Sequence, residues 1–141
     1  MKTLTDTERF VADTHALIWN LSEDTRLSKE AQRRFLRAEA GEAIIYLATI
    51  SIIEILYLLE KGKIPAQIWE LLRLTLRPNP YGSYQVVDLT ADLSFLLAKV
   101  PREAVPELPD RIIAATALSL QIPLITKDER LQQWEGIMTI W

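Results

Sequence analysis

Cysteine is absent from this 141-residue chain, and histidine occurs once, as His15. No disulfide can form, and neither thiolate nor multi-histidine zinc sites can be assembled. Carboxylates are then the only plentiful metal ligands, so any metal expected here is a hard cation, Mg2+ or Mn2+. The four glycines form no glycine-rich phosphate loop, which leaves nucleotide binding unsupported. Long apolar runs are also missing. The longest, Ile44 to Ile53, is interrupted by Thr49 and Ser51 and ends at Glu54, well short of the roughly 20 residues that span a membrane. The opening segment, Met1 to Arg9, lacks the apolar stretch and small-residue cleavage site of a secretory signal, so the expected location is cytoplasmic, with no membrane contact. Excess positive charge is lacking too. A net charge of −3 and a pI near 5.2 argue against nucleic-acid binding by electrostatics alone. Arg33 and Arg37 nevertheless fall on one helical face, so a basic stripe can coexist with an acidic cleft.

What is present fits a single α/β domain over residues 1–141, with residues 1–9 as a lead-in. A buried strand at Phe10 to Ala12 leads into a helix over His15 to Leu21, and Leu27-Ser28 opens a second helix that Gly41 ends. Ala43 to Thr49 reads as a strand buried on both faces. Ser51 then caps a helix running to about Lys61, and Pro65 sits in the first turn of another ending near Arg77. Tyr84 to Asp88 reads as a strand, Thr90 to Lys99 as a helix, and Val100 to Pro109 as an irregular loop. A helix over Asp110 to Leu120, a strand at Leu124 to Thr126, a short helix at Glu129 to Gln133 and a strand at Ile137 to Trp141 complete the chain. This alternation predicts a three-layer α/β/α fold with a central, mainly parallel sheet of about five strands.

In open sheets of this kind, ligands gather beyond the carboxyl ends of the strands. Asp13, Glu54, Asp110 and Asp128 all map there. Each has a plain structural explanation. Asp13 and Asp110 can be helix N-caps, while Ser51-Ile52-Ile53-Glu54 and Thr126-Lys127-Asp128-Glu129 fit the capping-box pattern. Caps are far commoner than metal ligands, so each acid taken alone favours the plain explanation. Two observations point the other way for the set. Glu54 is surrounded in sequence by residues that seek burial, where an unpaired carboxylate is costly. Four acids at one end of one sheet also repel one another unless a cation or substrate donor compensates.

The motifs themselves resemble those of a known family. Phe10-Val11-Ala12-Asp13-Thr14-His15-Ala16-Leu17-Ile18-Trp19 resembles the opening strand and helix of PIN domains of the VapC toxin kind, with Asp13 as the first acid. Ser51-Ile52-Ile53-Glu54-Ile55, followed by Lys61-Gly62-Lys63-Ile64, is similar to their second motif. Leu108-Pro109-Asp110-Arg111-Ile112-Ile113-Ala114-Ala115-Thr116-Ala117 is similar to the third, and Leu124-Ile125-Thr126-Lys127-Asp128-Glu129-Arg130-Leu131 to the fourth. The four motifs occur in order from Phe10 to the C-terminus; the lead-in is longer than the family usually carries.

The resemblance implies a metal-dependent endoribonuclease, the toxin of a VapBC-type toxin–antitoxin pair. Its catalytic and metal-binding residues would be Asp13, Glu54, Asp110 and Asp128, and its ion Mg2+ or Mn2+. Asp13 and Asp110 are expected as main ligands, while Glu54 and Asp128 complete a second position or hold ordered waters. The implied partners are an RNA substrate, a cognate VapB-like antitoxin occupying the cleft, and a second copy of the chain in a homodimer. The apolar helical pair from Ser51 to Arg77 suggests a groove for a partner. Ser51 and Thr126 are as readily caps as site residues, His15 receives no catalytic role, and Arg111, Lys127 and Arg130 are surface cations near the acids. A non-catalytic PIN-like interaction module is the alternative. A dehalogenase-like phosphatase would need Asp-x-Asp after the first strand, and position 15 is His.

Overall fold

The computed structural model describes residues 7–141. The β-branched segments form one sheet of five strands: β1 (Glu8–Ala12), β2 (Ala43–Ala48), β3 (Tyr84–Val87), β4 (Leu124–Ile125) and β5 (Thr139–Ile140). Their order is β3-β2-β1-β4-β5, and every pairing is parallel. The mainly parallel sheet expected from sequence is therefore wholly parallel. Helices α1 (Thr14–Leu21), α2 (Lys29–Glu39), α3 (Thr49–Glu60) and α4 (Ala66–Thr75) connect β1 to β2 and β2 to β3. Helices α5 (Ala91–Leu96) and α6 (Leu108–Leu120) carry the chain from β3 to β4, and α7 (Glu129–Gln133) leads to β5.

Strand pleating divides the core. Phe10, Ala12, Ile45, Leu47 and Ile125 face one side, against α1 to α4. Val11, Ala48 and Leu124 face the other, against α5, α6 and α7. The chain moves outward from β1 through β2 to β3, then crosses back over the opposite face to β4. Because parallel crossovers are right-handed, this reversal places helices on both faces and opens a crevice between the carboxyl ends of β1 and β4. Phe35 in α2 is wholly buried in the first cluster. Phe35→Ala is expected to cost about 3–5 kcal/mol, to be read from urea unfolding. A loss under about 1 kcal/mol would mean that α2 does not seal this face.

Several boundaries differ from the sequence reading. Residues 1–6 of the lead-in lie outside the described residues, and Glu8 and Arg9 belong to β1, opposite Ala43 and Ile44. An inner strand tolerates these charges because the Glu8 carboxylate meets Arg34 at 3.1 Å and Arg37 at 2.8 Å, while Arg9 Nε donates to the Tyr46 hydroxyl at 3.2 Å. The same contacts neutralise the expected basic stripe: Arg37 pairs with Glu8 and Glu42, and Arg33 with Glu30. Pro65 occupies the N-cap position of α4, one residue before its first turn, and the helix stops at Thr75. The single helix expected over Thr90 to Lys99 is α5 followed by a tight 3-10 turn at Leu97–Lys99.

Candidate active site

Each of the acids arrives on a different element. Asp13 follows the last residue of β1 and is the N-cap of α1. Its Oδ1 accepts from the Thr14 backbone N–H at 2.8 Å and its Oδ2 from the Thr126 hydroxyl at 2.7 Å. Thr126, just past β4, accepts in turn from the Asp128 N–H at 3.0 Å. One hydroxyl thus ties β1 to β4 across the crevice. Asp128 caps α7, its Oδ1 accepting from the N–H groups of Arg130 and Leu131. For Asp13 the helix-cap explanation is therefore correct; at α7 the cap is Asp128 itself and not Thr126, which the capping-box pattern suggests, and both acids also line the cavity.

Glu54 and Asp110 are placed otherwise than expected. Ser51 does not cap α3: the helix starts at Thr49 behind Ala48, with no side-chain cap. Ser51 is wholly buried inside the helix. Thr14 Oγ1 lies 2.9 Å from Ser51 Oγ and 2.6 Å from Glu54 Oε1. A hydroxyl has one proton, and an ionised carboxylate is the stronger acceptor. Thr14 then donates to Glu54, and Ser51 donates to Thr14. Glu54 sits in the second turn, where it reaches α1 instead of its own helix end. Asp110 is likewise no cap. Helix α6 begins at Leu108 behind Glu107, with Pro109 in its first turn and Asp110 beside it. Proline is at home there because its missing N–H has no intrahelical partner to lose.

The carboxylates line a cavity of about 380 Å³, together with Thr14, His15, Trp19, Glu107 and Lys127. Glu107 is absent from the sequence reading. Its signal was Pro109, which puts the start of the helix near residue 107 and sets residues 107 and 110 on one face. Burial and mutual repulsion make Asp13, Glu54 and Asp110 weaker acids than usual. Asp13 is only 7% exposed; burial pushes its carboxyl up, while the Thr126 and Thr14 hydrogen bonds oppose the shift. Burial also raises Glu54, against the Thr14 hydrogen bond. Asp110 has no such donor. Burial, then the fields of Asp13, Asp128, Glu54 and Glu107, push it up to about 7.

Whether these residues suit a metal can be judged from the donors themselves. They are all oxygen and mutually repelling, as a hard divalent cation requires. Among the described residues, no three His, Cys, Asp or Glu side chains stand in a ready-made metal-holding group. The hydroxyls of Thr14 and Thr126 instead occupy carboxylate lone pairs. Thr126→Val removes both the donor to Asp13 and the acceptor for Asp128 in a fully buried position. It is expected to destabilise by about 1–3 kcal/mol, with Thr126→Ser recovering most of the loss in thermal unfolding. Equal stability of the two variants would remove the brace from this account.

A family model for the PIN domain matches residues 10–136, the span that holds all four acids, strands β2 to β4 and most of β1. The chain belongs to the PIN domain family. Solved structures share the fold of this PIN domain. One is a VapBC2 complex from Rickettsia felis bound to a DNA fragment from its promoter, at TM-score 0.69 and 16% identity over 94% of this chain and 97% of that one. Another is a DNA-bound VapBC from Salmonella typhimurium, at TM-score 0.70 and 17% identity over 95% and 98%. A toxin–antitoxin complex from Klebsiella pneumoniae has TM-score 0.63 and 21% identity over 92% and 95%. Among curated proteins, no sequence matches this PIN domain significantly.

Proposed function

We propose that this PIN domain is a divalent-metal-dependent endoribonuclease, the toxin of a VapBC-type pair, acting as one domain in the cytoplasm. The observation that carries the reading is the delivery of Asp13, Glu54, Asp110 and Asp128 from four separate elements into one cavity, at the reversal point of a parallel sheet. PIN domains are generally nucleases that use divalent metals, and the three solved structures are toxin–antitoxin complexes.

When bound, Mg2+ or Mn2+ supplies activation of water and neutralisation of charge at a phosphodiester. The chain's own residues supply the frame. Asp13 and Asp110 face the cavity from opposite helix starts and would be the main ligands. Thr126 holds Asp13 in one rotamer by fixing its Oδ2. Thr14 aims Glu54 inward from the neighbouring helix. Asp128 has Oδ1 occupied by its cap bonds, leaving Oδ2 for an ion or an ordered water.

The partner of this reading is a VapB-like antitoxin. Ile52, Trp69, Leu72, Leu76 and Pro78 line a groove of about 420 Å³ between α3 and α4, flanked by Arg73 and Arg77. Such a groove suits an amphipathic segment with acidic residues at its edge. The chain is also proposed to form a homodimer.

Calorimetric titration of Mg2+ and Mn2+ into wild type and Asp13→Asn, with RNA cleavage assayed on the same samples, tests the reading. Binding and cleavage present in wild type and lost in a folded mutant are the expected result. If antitoxin-free wild type neither binds the ions nor cuts RNA, the acids are caps and the interaction-module reading takes over.

A further inference from the structure

RNA is a polyanion, and a cavity lined by Asp13, Glu54, Glu107, Asp110 and Asp128 repels it at close range. Three basic residues flank the acidic loops in sequence, and the structure separates their uses. Arg111 donates from Nε to the Val100 carbonyl at 3.2 Å and from Nη2 to the Leu97 carbonyl at 2.8 Å, so its guanidinium fastens the loop before α6. Arg130 lines a different hollow, of about 690 Å³, with Glu103, Glu129 and Glu135. Only Lys127 of the three lines the carboxylate cavity.

Lys127 is exposed, yet its ammonium is not spent on the acids beside it. The ion pairs of the described residues involve Arg26, Arg33, Arg34 and Arg37, and none involves Lys127. Its Nζ stands 5.5 Å from the ring centroid of Trp19, within range of a cation–π attraction. The seat is firm: Trp19 is 8% exposed and is flanked by His15 at 5.9 Å and Trp141 at 5.8 Å. A second cation, Arg26, lies 5.0 Å from the same ring, but Asp24 binds it through two bonds of 3.0 and 2.7 Å. The base of Lys127 is fixed as well. Thr126 N–H donates to the Ile140 carbonyl at 3.1 Å, and Asp128 N–H donates to Thr126 Oγ1 at 3.0 Å.

We propose that Lys127, seated on Trp19, binds the RNA phosphate next to the one being cut, and so sets the side from which the strand enters the cavity. The inference rests on the nuclease reading above. The phosphate undergoing cleavage belongs among the carboxylates. An ammonium held off them, toward α1, meets its neighbour in the strand. A compact charge on a flexible stem suits a phosphate oxygen and reads no base.

Anisotropy of a fluorescein-labelled single-stranded RNA of mixed sequence, measured without divalent ions over a range of KCl, tests this on the full chain. Lys127→Met is expected to weaken binding roughly 5–10-fold near 0.1 M salt and to flatten the slope of log affinity against log salt by about 0.7, the share of one single-strand phosphate contact. Lys127→Arg restores both. Thermal unfolding of Lys127→Met stays at the wild-type value, and in cleavage its KM rises with kcat little changed. Wild-type affinity and slope in Lys127→Met, or weaker binding with an unaltered slope, overturns the role of Lys127 while wild-type cleavage keeps the nuclease reading. Wild type that neither binds nor cuts this RNA overturns both.

Discussion

Asp110→Asn is expected to lower RNA cleavage by at least about 100-fold and, in the absence of divalent ions, to make the protein more stable at pH 8. The first effect follows from the place of Asp110 as a proposed main ligand, since even groups that only orient a metal ligand contribute about 10–100-fold. The second follows from its surroundings. Burial and four neighbouring acids push Asp110 up to about 7, so at pH 8 the fold holds a carboxylate where it resists one. Asparagine keeps the shape and removes the charge. A gain of about 1–3 kcal/mol is expected, allowing for partial solvent access. Asp24→Asn is the control: Asp24 is held down to about 2 by the Arg26 side-chain hydrogen bonds, so its replacement brings no gain. Chemical unfolding and a cleavage assay on the same preparations decide the matter. Loss of stability in Asp110→Asn would mean that the carboxylate serves the fold, as a cap does.

The stability of the metal-free protein should fall as pH rises from about 4 to about 7, and Mg2+ should reverse most of that fall. Asp110, Asp13 and Glu54 are all weaker acids in the folded chain, their pKa raised above the ordinary values of 3.8, 3.8 and 4.5. Between those values and the raised ones, the folded chain holds protons that the unfolded chain has released. Folding is then favoured by protons, and stability declines with pH until Asp110 has ionised near 7. The lowered Asp24 acts in the opposite sense, but only as pH falls toward 2, outside this window. Divalent ions bind the deprotonated carboxylates, so stabilisation by Mg2+ grows across the same range, reaching about 2.7 kcal/mol at a free concentration 100 times Kd. Thermal melts at pH 5 and pH 8, each with EDTA and with Mg2+, give the comparison. Equal Mg2+ shifts at both pH values would remove the carboxylate cluster as their source.

Most of the frame was legible because it is written locally. Phe10-Val11-Ala12 and Ala43 to Ala48 are short apolar runs bounded by caps and turns, and they became two of the inner strands. Gly41, at φ +75°, ended α2 where a left-handed residue was needed. The errors arose where a local pattern competed with a distant partner. Ser51-x-x-Glu54 has the spacing of a capping box, but both side chains turn to Thr14, 37 and 40 residues away, a pairing no local pattern announces. Asp110 looked like the start of a helix because the prolines before it suggested a loop. Pro109 instead lies inside the first turn, and Glu107 comes into the cavity with it. At Arg37 the sequence displayed charge without showing the acids on β1 and in the following turn that absorb it, Glu8 and Glu42.

The hydroxyl bridge from Thr126 to Asp13 joins residues 113 positions apart, and β4 lies between β1 and β5, paired with both. A ribosome making this chain therefore releases Asp13 and Glu54 long before the residues that complete the cavity. An unfinished chain has half the acids and no strand to close the crevice. Any activity of the site is thus postponed to the end of synthesis, and a nonsense mutation before Asp110 yields a product without it. The wide separation of the acids along the chain means that the cavity, with any chemistry it performs, exists only in a chain extended past Asp128 and folded.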